Sequence, residues 1–395
     1  MIDIREVQEQ LRQASLDGWL LYDFQGLNPI AKKLVGPQAG MLTRRWYYWI
    51  PKQGEPCVLC HRIEQFGFTS LNIKVRTFKS WQEMIESLKQ MLEGQETIAM
   101  EYSPLCSIPY VSRVDAGTVE AIESLGKKVA SSADLVQYFQ SRWSQQQFEM
   151  HLEASRLLMS ILFETFQSVG VAVRQGARLT EYAAQQTMLE KFRRSSLTTF
   201  SPPIVAVNQN SGNPHYEPSE TSSAEIRRDD LLLVDLWGKL DKPESVYADY
   251  TWVAYLGNTI PEAMQNVWQI VRGARDAGVA FVKANYPSKK IQGWQVDNVA
   301  RSYISERGFG DFFIHRTGHN IGEDDHGTGA NMDSLETKDE RHLIANTCFS
   351  IEPGIYLPEF GIRSEVNVFL EQNAVVVTGD PIQTKIHQID CGESS

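Results

Sequence analysis

Two apolar stretches of this 395-residue chain are interrupted by acidic residues, and this pattern restricts the fold more than any other feature. In "DDLLLVDLWGKLDKPESVYADYTWVAYLG", Asp235 and Asp249 lie in apolar runs on either side of the turn signal "LDKPES". A hairpin centred on Lys242 would place the two aspartates directly opposite each other, with Cβ atoms about 5 Å apart. Because directly opposed like charges are destabilising, such a hairpin calls for a cation.

The stretch "NTCFSIEPGIYLPEFGIRSEVNVFL" repeats this arrangement. Glu352 and Glu365 flank the turn-like "LPEFG", and their midpoint falls between Pro358 and Glu359. One such acidic residue alone is more typical of a carboxylate paired with a backbone amide or an arginine. Two hairpins together favour a metal site, because buried carboxylates must be paired or must coordinate metal.

The segment "IHRTGHNIGEDDHGTG" adds three histidines, His315, His319 and His326, among four glycines. Each glycine disfavours a helix by about 1 kcal/mol relative to alanine, so we expect a loop or a glycine-rich strand that another group approaches closely. Carboxylates combined with one imidazole suit Mn²⁺ best, with Co²⁺ or Zn²⁺ as alternatives.

Charge and composition exclude several classes of protein. The net charge of −11 without a basic tract argues against a nucleic-acid partner, and no apolar run is long enough for a membrane span. The polar start "MIDIREVQEQLRQ" and five cysteines lead us to expect a cytoplasmic protein with reduced thiols. The "CVLCH" stretch matches a haem-attachment pattern, but its surroundings predict a strand, so we interpret Cys57 and Cys60 as ordinary strand cysteines.

The order of predicted elements indicates two domains. Strands alternate with helices in residues 1–142, which predicts an α/β domain with a mixed, largely parallel sheet. The polar run "SRWSQQQ" marks the boundary. Residues 143–395 contain long helical patterns, one of them beginning at Thr180, followed by strands and hairpins, which predicts an α+β domain.

The motifs "PHY" at Pro214–Tyr216, "GHNIGEDDH", "SIEPGIY" and "GIRSEV", together with Asp235 and Asp249, have the order and approximate spacing of the pita-bread metallopeptidases. The sequence resembles the branch of Xaa-Pro aminopeptidases and Xaa-Pro dipeptidases (prolidases), strongly over residues 144–390. Its first domain resembles the smaller, non-catalytic domain of that branch. The resemblance implies a pita-bread fold for the second domain, a homodimer, and cleavage of the Xaa-Pro bond at the N-terminus of short proline-containing peptides.

The resemblance also assigns ligands to two divalent metal ions. The five implied ligands are Asp235, Asp249, His319, Glu352 and Glu365. Among them, Asp249 and Glu365 would bridge the ions, and Glu352 would also accept a proton during hydrolysis.

Four further residues match positions that contact substrate in the family. His215 and His326 match the pair that contacts the scissile peptide and its developing charge. His315 matches a histidine near the prolyl end of the site, and Arg363 a residue that meets a carboxylate or an acidic partner.

The chain departs from the family pattern near the implied metal pair. The turn between the two aspartates is longer, and Trp252 stands where arginine is common. We expect Trp252 close to the metal pair, and name it with Tyr356 and Phe360 as candidates for an apolar wall around proline.

Other functions are compatible with the same fold. They are a metal-free C–N hydrolase of the creatinase type and a non-catalytic binding scaffold. The intact ligand set argues against the first, and His215 and His326 argue against the second. Methionine aminopeptidase fits less well, because a separate α/β domain precedes the catalytic part.

Overall fold

The computed structural model describes residues 2–38 and 42–392. The chain divides into two compact units, Met1–Gln140 and Ser141–Ser395. The first unit is built around one sheet. Its helices and strands are α1 (Ile4–Gln13), β1 (Gly18–Asp23), α2 (Pro29–Val35), β2 (Trp46–Pro51), β3 (Cys57–His61), β4 (Lys74–Phe78), α3 (Trp81–Met91), β5 (Thr97–Met100), α4 (Ala116–Glu123), β6 (Lys128–Ser131) and α5 (Ala133–Val136).

The sheet of the first unit has the strand order β4-β3-β2-β1-β5-β6, and β2 alone runs antiparallel to its neighbours. The predicted mixed, largely parallel sheet is therefore confirmed. Trp19 and Leu21 of β1 face one apolar core, while Leu20 and Tyr22 face the other, so both faces are covered by helices.

The cysteines of the "CVLCH" stretch lie in strand β3. Cys57 and Cys60 are buried free thiols on opposite faces of the sheet, where each packs into a different apolar core. This is the arrangement that the strand interpretation of the motif predicts.

The second unit carries longer helices and three sheets. Its elements are α6 (Gln145–Arg174), α7 (Glu181–Arg194), β7 (Leu197–Thr198), β8 (Ile204–Val207), β9 (Leu231–Leu240), β10 (Ala248–Tyr255), α8 (Glu262–Asn285), α9 (Gly293–Ser305), β11 (Asn320–Ile321), β12 (Thr347–Ile351), β13 (Gly354–Tyr356), β14 (Gly361–Arg363), β15 (Val366–Leu370), β16 (Val375–Thr378) and β17 (His387–Gln388). The three sheets have the strand orders β17-β10-β9-β7, with β8 also paired to β9, then β11-β12-β15-β16, and β13-β14.

Local sequence signals explain where the first helices of this unit begin. Ser144 and Gln147 form a reciprocal capping box at the start of α6, and the Thr180 side chain accepts the Ala183 N–H at the start of α7. The predicted start at Thr180 is confirmed.

Two helix pairs cover the strands of the second unit. Helix α6 packs on β9 and β10 through Leu158, Leu162 and Phe166. Its length and apolar composition would also suit a membrane span, but core helices share these properties. Helices α8 and α9 pack against each other and against residues of β12, β13 and β14, so the acidic strands lie between the two pairs.

Candidate metal centre

One face of the β9–β10 hairpin changes from apolar to acidic along its length. Leu233 and Val253 on this face pack against the α8–α9 side of the unit. Because side chains alternate along a strand, Asp235, Thr251 and Asp249 continue the same face. All three are buried, with 7% or less of their surface exposed.

The register of this hairpin differs from the predicted one. Asp235 pairs with Thr251, and Asp249 pairs with Trp237, so the aspartates are offset by two residues instead of directly opposed. The turn is centred one residue beyond Lys242. An offset of two residues keeps both carboxylates on one face, because the side-chain period of a strand is two.

Thr251 fills the position opposite Asp235. Its hydroxyl lies 2.8 Å from Asp235 Oδ1 and 2.9 Å from Glu365 Oε2, so it can donate to one of them at a time. It also accepts a hydrogen bond from Arg363 Nε at 2.9 Å. Sequence reasoning gave this threonine no role.

The second acidic hairpin has the predicted register. Ile351 pairs with Val366 and Gly354 pairs with Arg363, and the same register in both ladders sets Glu352 opposite Glu365. The Ser350 hydroxyl donates to Glu352 Oε1 at 3.1 Å.

The histidine-rich segment is a loop around the short strand β11, as predicted. Gly318 is needed for close approach, since a Cβ atom there would lie 1.9 Å from the Ser350 carbonyl oxygen. The next residue, His319, places Nδ1 3.0 Å from the Asp325 carbonyl oxygen. This contact fixes the ring proton on Nδ1 and leaves the lone pair of Nε2 free.

The free nitrogen of His319 points at carboxylates. Its Nε2 atom lies 3.4 Å from Asp249 Oδ2 and 3.3 Å from Glu352 Oε1. Burial holds the pKa of His319 well below its usual value, and the charges of His326 and Arg316 lower it further. A neutral imidazole with its lone pair towards two carboxylates is the arrangement expected around a metal ion.

Unsatisfied oxygens test whether a divalent cation fits this centre. Among the described residues, Asp249 Oδ1 and Glu365 Oε1 are buried and accept no hydrogen bond. Burial raises the pKa of both carboxyls well above their usual values, and neighbouring carboxylates raise them further. Ligand atoms of Asp249, His319 and Glu365 all lie within 4.8 Å of one another. The donor set therefore fits a divalent cation.

Asp235 accepts a hydrogen bond from a buried arginine. The Arg363 guanidinium donates to Asp235 Oδ2 and, at 2.8 Å, to the Tyr356 hydroxyl. His315 Nε2 lies 2.7 Å from the same hydroxyl. Arg363, Tyr356 and His315 thus form a connected polar chain that ends at Asp235.

The remaining two predicted histidines lie near the mouth of the centre. The His326 ring, about half exposed, has its centroid 4.2 Å from that of His319. The pKa of His326 is lowered to about 4. Partial burial is the main cause, and the charges of Arg316 and His215 contribute less. The His215 side chain is exposed and lies close enough to act on His326 through its charge.

Trp252 does not lie where the sequence analysis expected it. Strand alternation turns it away from Asp249 and Thr251 into the core beneath α6, where its ring packs against Phe163 at a centroid distance of 5.1 Å. It is no part of the centre. Tyr356 contacts the centre through its hydroxyl, whereas Phe360 packs in the core beside α8 and α9.

Asp325 is the residue that sequence reasoning missed. It is 4% exposed and lies between the exposed Asp324 and the half-exposed His326. The "EDDH" run was the available signal, but an irregular loop has no period that tells the buried aspartate from the exposed one.

Comparison with known proteins identifies this constellation. Residues 151–377 match the sequence model of metallopeptidase family M24. The chain belongs to this family. It is 31% identical over 201 residues to the Xaa-Pro dipeptidase of Lactobacillus delbrueckii subsp. lactis, a match that covers 51% of this chain and 50% of the relative. The Xaa-Pro dipeptidase of Pyrococcus horikoshii is 25% identical over 305 residues, 76% of this chain and 77% of the relative.

Solved structures resemble the M24 chain over almost its whole length, although the matches to the first curated relatives span only about half of those proteins. Dipeptidase PepE from Mycobacterium ulcerans has a TM-score of 0.73 at 21% identity, covering 98% of this chain and 96% of the other. The prolidase from Thermococcus sibiricus has a TM-score of 0.66 at 20% identity, covering 98% and 100%. These likenesses show the predicted fold, an α/β N-terminal part followed by a pita-bread part.

Proposed function

We propose that this M24 protein is a dinuclear metal-dependent peptidase that hydrolyses the Xaa-Pro bond at the N-terminus of short peptides, as an aminopeptidase or a dipeptidase. The observation that carries the proposal is the buried donor set around His319, in which one carboxylate oxygen each of Asp249 and Glu365 accepts no hydrogen bond from a described residue. Relatives named Xaa-Pro dipeptidases support the choice of substrate.

The proposed ligands are the five that the family resemblance implies. They are Asp235, Asp249, His319, Glu352 and Glu365, with Asp249 and Glu365 shared between two ions. An oxygen-rich set with one imidazole favours Mn²⁺, with Co²⁺ or Zn²⁺ as alternatives. Two such ions supply a water of lowered pKa and polarise the scissile carbonyl.

Glu352 and two histidines near the ligands carry out the proton transfer and the binding of the peptide. Glu352, oriented by the Ser350 hydroxyl, accepts the proton of the attacking water and returns it to the prolyl nitrogen that leaves. His326, beside the His319 ring, donates to the oxygen on which negative charge develops, and His215 holds the scissile peptide.

The polar chain of Arg363, Tyr356 and His315 suits the prolyl end of a peptide. His315 is half-buried and contacts the Tyr356 hydroxyl, which also receives a hydrogen bond from Arg363. We assign His315 and Arg363 to substrate binding, where the guanidinium would meet the peptide carboxylate. Such a contact would compete with the contact between Arg363 and Asp235.

The organisation of the chain completes the proposal. Residues 143–395 form the catalytic domain, and residues 1–142 a non-catalytic domain that acts in assembly as a homodimer and in access to the site. The compact units Met1–Gln140 and Ser141–Ser395 support a boundary near residue 142. We place the protein in the cytoplasm, on the basis of its thiols and its peptide substrates.

Hydrolysis assays on metal-free protein reconstituted with Mn²⁺, Co²⁺ or Zn²⁺ test this function. The substrates are Xaa-Pro dipeptides and Xaa-Pro-Yaa tripeptides, with Xaa-Ala counterparts as matched controls. We expect metal-dependent release of the first residue from the proline series only. Equal cleavage of the alanine series, or full activity in the presence of a chelator, would contradict the proposal.

A further inference from the structure

The Asp325 side chain is a buried carboxylate with one oxygen atom that no described residue satisfies. It is 4% exposed, and its Oδ1 atom accepts no hydrogen bond from any residue that the structure describes. Within the described ranges its one close contact with a basic side chain is with His326, whose Nε2 lies 3.8 Å from Asp325 Oδ2. A buried carboxylate in this state costs several kcal/mol unless a cation or donors reach it.

The surroundings of Asp325 make this cost larger. Asp249 lies within hydrogen-bonding reach of it, and Asp235 and Glu352 lie near enough to act on it through their negative charges. Arg316 acts on it in the opposite sense, but more weakly than those two carboxylates. Arg316 therefore offsets only part of the negative charge that faces Asp325.

The loop holds this carboxylate in place. The Asp325 carbonyl oxygen lies 3.0 Å from His319 Nδ1, so the same residue orients a ligand imidazole and directs its carboxylate inward. Ligand atoms of His319, Asp325 and His326 all lie within 4.8 Å of one another. The three residues are thus arranged as a second group that fits a cation, next to the group of Asp249, His319 and Glu365.

We propose that the Asp325 carboxylate binds a cation in the working centre, in addition to the five ligands assigned from the sequence. Two cations could fill this role, because both carry positive charge. One is a divalent metal ion held together with His319 or His326. The other is the protonated amine of the substrate, a source that rests on the proposed function, because an enzyme acting on the first residue of a peptide must recognise a free amine.

Asp325→Asn tests the proposal, because it keeps the shape of the side chain and removes its charge. The matched control is Asp324→Asn, which makes the same chemical change at the adjacent position. Asp324 is exposed. The first arm titrates Mn²⁺ into the metal-free full chain by calorimetry and measures bound metal. The second arm measures kcat and KM for a Xaa-Pro peptide with a free amine.

Each outcome decides the proposal. Metal affinity about tenfold weaker or more in Asp325→Asn, with Asp324→Asn unchanged, identifies the metal ion as the cation. Unchanged metal affinity with KM raised about tenfold and kcat retained identifies the amine. Metal affinity and KM both equal to those of the control would overturn the proposal.

The metal arm also separates this inference from the proposed function, because it uses no peptide. A wild-type protein that binds two ions and cleaves no Xaa-Pro peptide would refute the function and leave the metal arm valid. If the wild-type protein binds no Mn²⁺ but cleaves these peptides, the cation on Asp325 is not a metal ion. The KM measurement then decides whether it is the substrate amine. Asp325→Ser, compared by circular dichroism and the same titration, replaces the Asn variant if that variant does not fold.

Discussion

Replacing Asp249 by asparagine should have opposite effects on stability with and without metal. Asp249 Oδ1 is buried, no residue that the structure describes donates to it, and other carboxylates surround it. An asparagine removes one negative charge and offers an N–H donor to a neighbouring carboxylate oxygen, such as the unsatisfied Glu365 Oε1. The metal-free variant should therefore be more stable than the metal-free wild type.

The size of both effects can be estimated. Relief of one buried unsatisfied group is worth about 1–3 kcal/mol, and a domain the size of the second unit shifts its midpoint by about 2–4 °C per kcal/mol. Metal at one hundred times its Kd stabilises the wild type by about 2.7 kcal/mol per site. Because a bridging ligand serves two ions, the variant should lose most of this stabilisation. The order of stability should thus reverse when metal is added.

Differential scanning calorimetry with chelator and with Mn²⁺ measures these four midpoints. Asp241→Asn, an exposed aspartate in the turn of the same hairpin, is the matched control and should follow the wild type in both conditions. An Asp249→Asn protein that is less stable without metal, or that gains as much from Mn²⁺ as the wild type, would refute the reasoning.

Three further predictions concern other parts of the chain. His326→Ala should keep both metal ions and lower kcat by about 10², the scale of one lost oxyanion donor; loss of metal would show that His326 is itself a ligand. His151 is fully buried, and burial lowers its pKa from 6.5 to about 4, so the unfolded chain binds a proton first as the pH falls. Stability should drop between pH 6.5 and 4, by up to about 1.4 kcal/mol per pH unit, and denaturant titrations of His151→Gln should show a shallower dependence; parallel curves would exclude this assignment. Light scattering of the full chain should give twice the monomer mass of 44.8 kDa, and a monomer at working concentration would disprove the homodimer.

The two acidic hairpins show what the sequence can and cannot predict. In the second hairpin, Glu352 and Glu365 stand symmetrically about a short turn, and the predicted register was correct. In the first hairpin the turn is longer and need not be centred on its sequence midpoint, so the register of Asp235 and Asp249 was wrong by two residues. Both side chains still lie on one face, because the register was wrong by an even number of residues.

The two other misses, Trp252 and Asp325, have different physical causes. Trp252 was placed at the metal pair because it follows Asp249 closely in sequence, although an odd spacing along a strand turns it to the opposite face. Asp325 lies in an irregular loop, where the sequence alone does not determine which side chain turns inward.

Anomalous diffraction at the manganese edge, from crystals of the full chain grown with Mn²⁺, tests the central claim most directly. The account predicts two peaks about 3.5–4 Å apart, both within ligand distance of Asp249 and Glu365, with His319 on one of them. A single peak, or peaks away from these carboxylates, would contradict the dinuclear centre.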